Sequence, residues 1–119
     1  MGNICRSPTA EGIFRHKITQ RKLSDIIFVD SCGTHDYHHG QQPDKRSQEA
    51  ALKRGIDLSS QRSRVINRSD FSKFNLILAM DEMNFSQIES MMNHKDKEKL
   101  LLFLDFSKQA EWTEVPDPY

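Results

Sequence analysis

Net charge is the first thing this chain lacks. Its 17 Lys and Arg residues balance 17 Asp and Glu, leaving a formal charge of +0. A balanced chain has no bulk field to draw it to nucleic acid or to a charged membrane surface, so neither partner is expected. Cysteine is scarce as well. Two residues, Cys5 and Cys32, make no disulfide framework and suit a reducing, cytoplasmic setting. No apolar run approaches the roughly 20 residues of a membrane span, and no secretory leader is recognisable. Repeats, low-complexity tracts and linkers are missing too. With 36% hydrophobic and 29% charged residues over 119 positions, the composition allows one small domain, residues 1–119.

What is present is concentrated at the start. Met1-Gly2-Asn3-Ile4-Cys5-Arg6-Ser7-Pro8 is a short Gly-containing run that leads into a helix. Loop amides followed by a helix N-terminus attract an anion through unpaired N–H groups and the helix dipole. Arg6 adds a permanent planar cation whose fork matches two phosphate oxygens. Ser7 suits the N-cap and Pro8 the first helical position. The octet therefore reads as a phosphate cradle. Asn3 is either a left-handed residue whose side chain fixes the loop or an ordinary turn Asn, and the two readings stand level.

The periodicity behind the octet alternates between helix and strand. Ala10, Ile13, Phe14 and Ile18 place an apolar face on a helix over about 8–22. Ile26 to Val29 reads as a short buried strand, and 31–42 as a polar loop. Pro43-Asp44 opens a second helix that Gly55 ends. Ser69-Asp70 caps a turn with Phe71 and Phe74. Leu76 to Met80 and Leu100 to Leu104 are two further buried strands. A helix over about 82–93 shows Phe85, Ile88 and Met92 on one face, and His94 to Lys99 is a charged connector. Met80, Met83, Met91 and Met92 are most simply packing residues. The fold class is α/β: a single domain with a parallel sheet flanked by helices and a phosphate loop at the N-terminus. Ligands of such sheets bind beyond the carboxyl ends of the strands, where Ser31, Asp81 and Asp117 are expected to converge.

Gly2-Asn3-Ile4-Cys5-Arg6-Ser7-Pro8 resembles the phosphate loop of the low-molecular-weight protein tyrosine phosphatases, whose signature is a cysteine, five residues, then Arg-Ser. Val115-Pro116-Asp117-Pro118-Tyr119 resembles that family's acid loop. Ser31-Cys32-Gly33-Thr34, Gly40 to Arg46, Gly55-Ile56 and Ala79-Met80-Asp81-Glu82-Met83-Asn84 resemble further landmarks in the same order. By that count the nucleophilic cysteine falls one position before Met1, so the chain is expected to be truncated at both ends. The first strand, which precedes the phosphate loop in the family, would be missing as well. Unpaired backbone and a core gap would then make the chain poorly stable. One departure stands out: the family commonly has a His after Gly-Ile that helps hold the loop Asn. Here the stretch reads Ser59-Ser60-Gln61-Arg62, with Gln61 as the expected substitute.

The resemblance implies hydrolysis of phosphotyrosine in two steps, through a phosphocysteine. Gly2, Asn3, Ile4, Cys5, Arg6 and Ser7 would bind the phosphate, with Arg6 stabilising the transition state. Asp117 would protonate the leaving phenolate and then activate water, although Asp before Pro is also common in plain turns. Tyr37 and Tyr119 would wall a slot deep enough for phosphotyrosine. Ser7 would donate to the thiolate, cap the helix, or do both. Cys5 resembles the second loop cysteine, which pairs with the nucleophile under oxidation. Asp81 either orients Arg6 or a water, or caps the next helix.

Phosphotyrosine proteins, small aryl phosphates and inorganic phosphate are the implied partners. No cofactor or metal is implied; His35, His38 and His39 beside Asp36 fit a polar loop better than a metal site. A non-catalytic phosphate- or phosphotyrosine-binding relative is the alternative. A thiol-dependent arsenate reductase is disfavoured, because Cys32 is the only cysteine beyond the loop. Neither Cys5 nor Cys32 has an arginine six residues after it. The 119-residue chain is therefore expected not to turn over p-nitrophenyl phosphate. Hydrolysis that disappears in Cys5→Ser would show that Cys5 is the nucleophile after all.

Overall fold

The structure, a computed structural model, describes residues 2–107, 111 and 113–118. It divides into two compact units, Met1–Val65 and Ile66–Tyr119.

In the first unit, helix α1 spans Arg6–Gln20 and helix α2 spans Lys45–Leu52. The expected apolar face of α1 is buried only in part, at Ile18. Ile13 and Phe14 are exposed, while Pro8, Glu11, Gly12 and Ile18 are buried. The reason lies in the neighbour. The segment 56–61 runs so close to α1 that only a glycine fits beneath it. A Cβ on Gly12 would overlap Leu58 Cδ2 and stand 3.2 Å from Ile56 Cγ2. Leu58 has no exposed surface at all.

Helix α2 behaves as its sequence says. Asp44 caps it by accepting a hydrogen bond from the Arg46 amide at 2.9 Å. Gly55, at φ 78°, ends it: Gly55 N donates to Leu52 O and Ile56 N to Ala51 O. These are the two bonds of a Schellman stop.

The expected strand at 26–29 does not form. Ile26 and Phe28 are largely exposed, and no described residue pairs with the run as a strand. β-Branched residues favour extended backbone, but a strand exists only where a neighbouring ladder takes its amides and carbonyls. Here the Val29 carbonyl accepts instead from the Arg15 guanidinium, at 2.9 Å. A single parallel bridge, Gly33 to Val65, is the only β pairing described in this unit.

The second unit is a β–α–β crossover preceded by a short helix. Helix α3, Ser69–Lys73, is closed by a reciprocal pair: Asn67 Oδ1 accepts from Ser69 N at 3.0 Å, and Asp70 Oδ2 accepts from Asn67 N at 2.9 Å. Strand β1, Ile77–Ala79, pairs in parallel with β2, Leu100–Leu102, in the register Ile77–Leu100, Leu78–Leu101 and Ala79–Leu102. Both are shorter than the apolar runs that contain them; β2 stops where Phe103 to Phe106 turns into a 3-10 helix. Helix α4, Glu82–Met91, connects them and buries Ile88; Met92, just past its end, is buried too. Met83 is exposed rather than packed. The connector 94–99 is itself a 3-10 helix.

Gly12→Ala tests the close approach of α1. Helix propensity favours the alanine by about 1 kcal/mol, but overlap with a fully buried Leu costs about 1–3 kcal/mol. The urea midpoint of the variant should therefore fall, by the equivalent of up to about 2 kcal/mol.

Candidate active site

The opening loop is built around a buried asparagine in a left-handed conformation. Asn3 has φ 60° and is only 5% exposed. Its side chain is fully occupied by the fold. Nδ2 donates to Ser7 Oγ at 2.9 Å and to Ser31 Oγ at 3.0 Å, and Oδ1 accepts from the Arg64 amide at 3.1 Å. Of the two readings of Asn3, the loop-fixing one is correct. Asparagine tolerates this backbone, and three hydrogen bonds hold it there.

Two loop carbonyls are tied to the surrounding protein. Ser63 Oγ donates to Gly2 O at 2.8 Å, and the Asp44 amide donates to Ile4 O at 2.7 Å. In a trans peptide the C=O and the following N–H point in opposite directions, and the described chain has no cis bond. The amides of Asn3 and Cys5 therefore point away from Ser63 and Asp44. The loop then runs straight into α1, whose first orphan amides and dipole add to the same field.

The helix begins two residues earlier than expected. Arg6 is its first residue and Cys5 its N-cap, rather than Ser7 capping with Pro8 first. Pro8 is unharmed by this shift, because the first four helical amides have no intrahelical acceptor anyway. The first helical bond is Thr9 N to Cys5 O at 3.2 Å, reinforced by Thr9 Oγ1 at 2.7 Å. Ser7 spends its hydroxyl accepting from Asn3. Cys5 is free and half-buried, and its sulfur accepts from Ser47 Oγ at 3.1 Å.

Behind Asn3 lies a buried carboxylate that sequence reading missed. Ser31 Oγ donates to Glu11 Oε1 at 2.7 Å, and Arg15 Nη2 donates to Glu11 Oε2 at 2.7 Å. Burial pushes the Glu11 carboxyl above its ordinary value; the Ser31 hydroxyl and the Arg15 charge pull it back, and the charge on Asp30 pushes it further up. The one signal in the sequence was the Glu–Arg spacing of four along a helix. Ser63 had no signal. Gln61 does not replace the missing histidine at Asn3: its Nε2 donates to Pro8 O at 3.0 Å instead.

The 35–39 loop stands against this start. A Cβ on Gly2 would lie 2.5 Å from His38 Cδ2, so only glycine lets that ring pack there. His38 Nδ1 lies 3.1 Å from Gln41 Oε1. The His35 and Tyr37 rings stack at 5.2 Å, with Tyr37 itself exposed, and His39 Nδ1 lies 3.6 Å from Asp36. The three histidines thus serve stacking, packing and pairing. Cys32 is half-buried.

In the second unit, Asp81 caps α4 by accepting from Asn84 N at 2.7 Å, so the capping reading of this residue is the one observed. Glu114 Oε1 adds a second acceptor at the same helix start, from Glu82 N at 2.8 Å. Val115 N donates to Met80 O at 2.8 Å. These two bonds tie the segment that carries Asp117 to the carboxyl end of β1. Asp117 is exposed within it. The expected wall residue Tyr119 lies outside the described residues, as does Met1.

One unit is a parallel α/β crossover and the other a loop wound onto a helix start. A family model for the low molecular weight phosphotyrosine protein phosphatases matches residues 1–119. The chain is 35% identical over 119 residues to the low molecular weight protein-tyrosine-phosphatase YfkJ of Bacillus subtilis, covering 100% of this chain and 76% of the relative. It is 40% identical over 123 residues to the low molecular weight phosphotyrosine protein phosphatase of Mus musculus, covering 100% and 75%. Among solved structures, a protein tyrosine phosphatase from Entamoeba histolytica with Hepes in its active site aligns at TM-score 0.96 and 39% identity, over 100% of this chain and 76% of that one. The chain belongs to the low molecular weight phosphotyrosine protein phosphatase family, a family of hydrolases.

Glu11 makes the first unit sensitive to pH. The unfolded carboxyl titrates near 4.5, and the folded one above it. The stability contributed by its proton is complete below that pH and is lost as pH rises through the folded value. Glu11→Gln has no proton to lose. Urea midpoints taken upward from pH 4.5 should therefore fall for the native chain relative to Glu11→Gln, and parallel profiles would contradict the assignment.

Proposed function

We propose that the loop Gly2-Asn3-Ile4-Cys5-Arg6-Ser7 is the phosphate-binding site of this phosphatase, and that residues 1–119 act as one phosphatase-like domain. The observation that carries the reading is the pair of pinned carbonyls, Gly2 O and Ile4 O, which turn the Asn3 and Cys5 amides inward at a helix N-terminus. Inward amides bind the three equatorial oxygens of a phosphoryl group, and Arg6 adds a bidentate cation that strengthens as charge develops in the transition state. Inorganic phosphate is the product that leaves this loop.

In the covalent step a thiolate attacks phosphorus, the bond to the phenolate oxygen breaks, and Asp117 donates its proton to that oxygen. Water, deprotonated by Asp117, then displaces the thiolate from phosphorus. Neither Cys5 nor Cys32 has the nucleophile's spacing to an arginine, so the step calls for a cysteine directly before Met1. Support for Asp117 comes from its motif and from the anchoring of its segment to the end of β1. Tyr37, held by its stack on His35, is suited to gripping an aromatic ring, and Tyr119 takes the second wall by motif. The substrates are phosphotyrosine proteins or small aryl phosphates. A cytoplasmic location fits a family that depends on a free thiolate; among the described residues no helix is long and apolar enough to cross a membrane.

A chain with a cysteine placed immediately before Met1 tests these roles together. It should hydrolyse aryl phosphates, and Arg6→Ala should lower kcat/KM by about 100-fold or more. Asp117→Ala should slow phenyl phosphate far more than p-nitrophenyl phosphate, whose leaving group needs a proton less. Equal slowing of the two substrates, or none, would remove Asp117 from the acid role.

A further inference from the structure

The first peptide of the loop, Gly2–Asn3, is the one least protected by the helix, since it lies furthest from α1. What holds it is the hydroxyl of Ser63. That residue is buried at 4% exposure, and its Oγ donates to Gly2 O at 2.8 Å. Its own backbone is fixed at both ends: Ser63 N donates to Gln41 O at 2.8 Å, and Gly40 N donates to Ser63 O at 2.7 Å. The same Gln41 lies against His38 through its side chain, and the His38 ring packs on Gly2 where no Cβ fits. Gly2 thus sits between a hydroxyl on a fixed mount and an imidazole face. A glycine peptide has a low barrier to reorientation about its flanking dihedrals. Without the hydroxyl, nothing described would hold the Gly2 carbonyl outward.

We infer that Ser63 is a positioning residue for phosphate binding: it locks the Gly2–Asn3 peptide so that the Asn3 amide faces the anion. The inference rests on the reading of Gly2–Ser7 as the phosphate loop. Ser63 touches no substrate. It acts by keeping one donor preorganised, so that no rotation is needed when the anion arrives. One hydrogen bond of this kind corresponds to about a fivefold to tenfold change in affinity.

The test is a titration of the full chain with inorganic phosphate, followed through backbone amide shifts by nitrogen–proton NMR. Native chain, Ser63→Ala, Ser63→Thr and Arg6→Ala are compared. In the native chain the Asn3 and Cys5 amide protons should move downfield together. Ser63→Ala should weaken phosphate binding about fivefold to tenfold and abolish the Asn3 shift while keeping that of Cys5. Ser63→Thr, which keeps the hydroxyl, should restore both. Should Ser63→Ala fail to fold, the native titration still decides: a Cys5 shift with an unmoved Asn3 overturns the inference. Unchanged affinity in Ser63→Ala overturns it too. If the native chain binds no phosphate, or if Arg6→Ala binds as well as the native chain, the loop reading itself has failed.

Discussion

The first unit depends on one constraint: a short loop must turn its carbonyls outward and stay so. Backbone carbonyls are strong acceptors, and a loop that offers its amides to an anion has to dispose of them elsewhere. Here three of them have a described partner. Gly2 O goes to a serine hydroxyl, Ile4 O to the amide before α2, and Cys5 O to the first turn of α1. The turn that makes this possible is the left-handed Asn3, and Asn3 is kept by Ser7, Ser31 and the Arg64 amide. The proposed phosphate site is therefore an outcome of satisfied hydrogen bonding on the far side of the loop.

A carboxylate at the back of such an arrangement carries a cost, since burial penalises a charge heavily. Glu11 answers two needs at once. It accepts from Ser31, which leaves that hydroxyl's oxygen to receive Asn3 Nδ2, and it pairs with Arg15, which also takes the Val29 carbonyl. The proton directions run one way, from Asn3 through Ser31 to Glu11. Gln61, the residue expected to take over from a histidine, instead donates to the Pro8 carbonyl in the first turn of α1.

Much of the site was legible because it is local. The octet is contiguous, and its physics is that of glycine, arginine and a helix start; Asp44 and Gly55 bracket α2 by short-range rules that the structure follows. What was not legible is everything that depends on a neighbour distant in sequence. The apolar run 26–29 has strand propensity but no ladder among the described residues, so it stays outside the sheet. The apolar stripe Ile13 and Phe14 lost its place in the core to Gly12, because proximity to Leu58 rewards the absence of a side chain over the presence of one. Ser63 and Glu11 carry no motif. Their importance comes from which groups the fold brings within reach of them.

The bonds from Ser63 to Gly2 and from Arg64 to Asn3 each join residues 61 apart in sequence. Closing a chain segment of that length costs roughly 4 kcal/mol of entropy beyond the constant term. Two hydrogen bonds at their net worth cannot offset that alone. The order of the loop is hence borrowed from the collapse of the whole of residues 1–65, and none of it can be carried by an excised N-terminal peptide. A weakened core contact at Leu58 would loosen the loop at Gly2 without touching it, which makes the precision of the site a collective property of its unit.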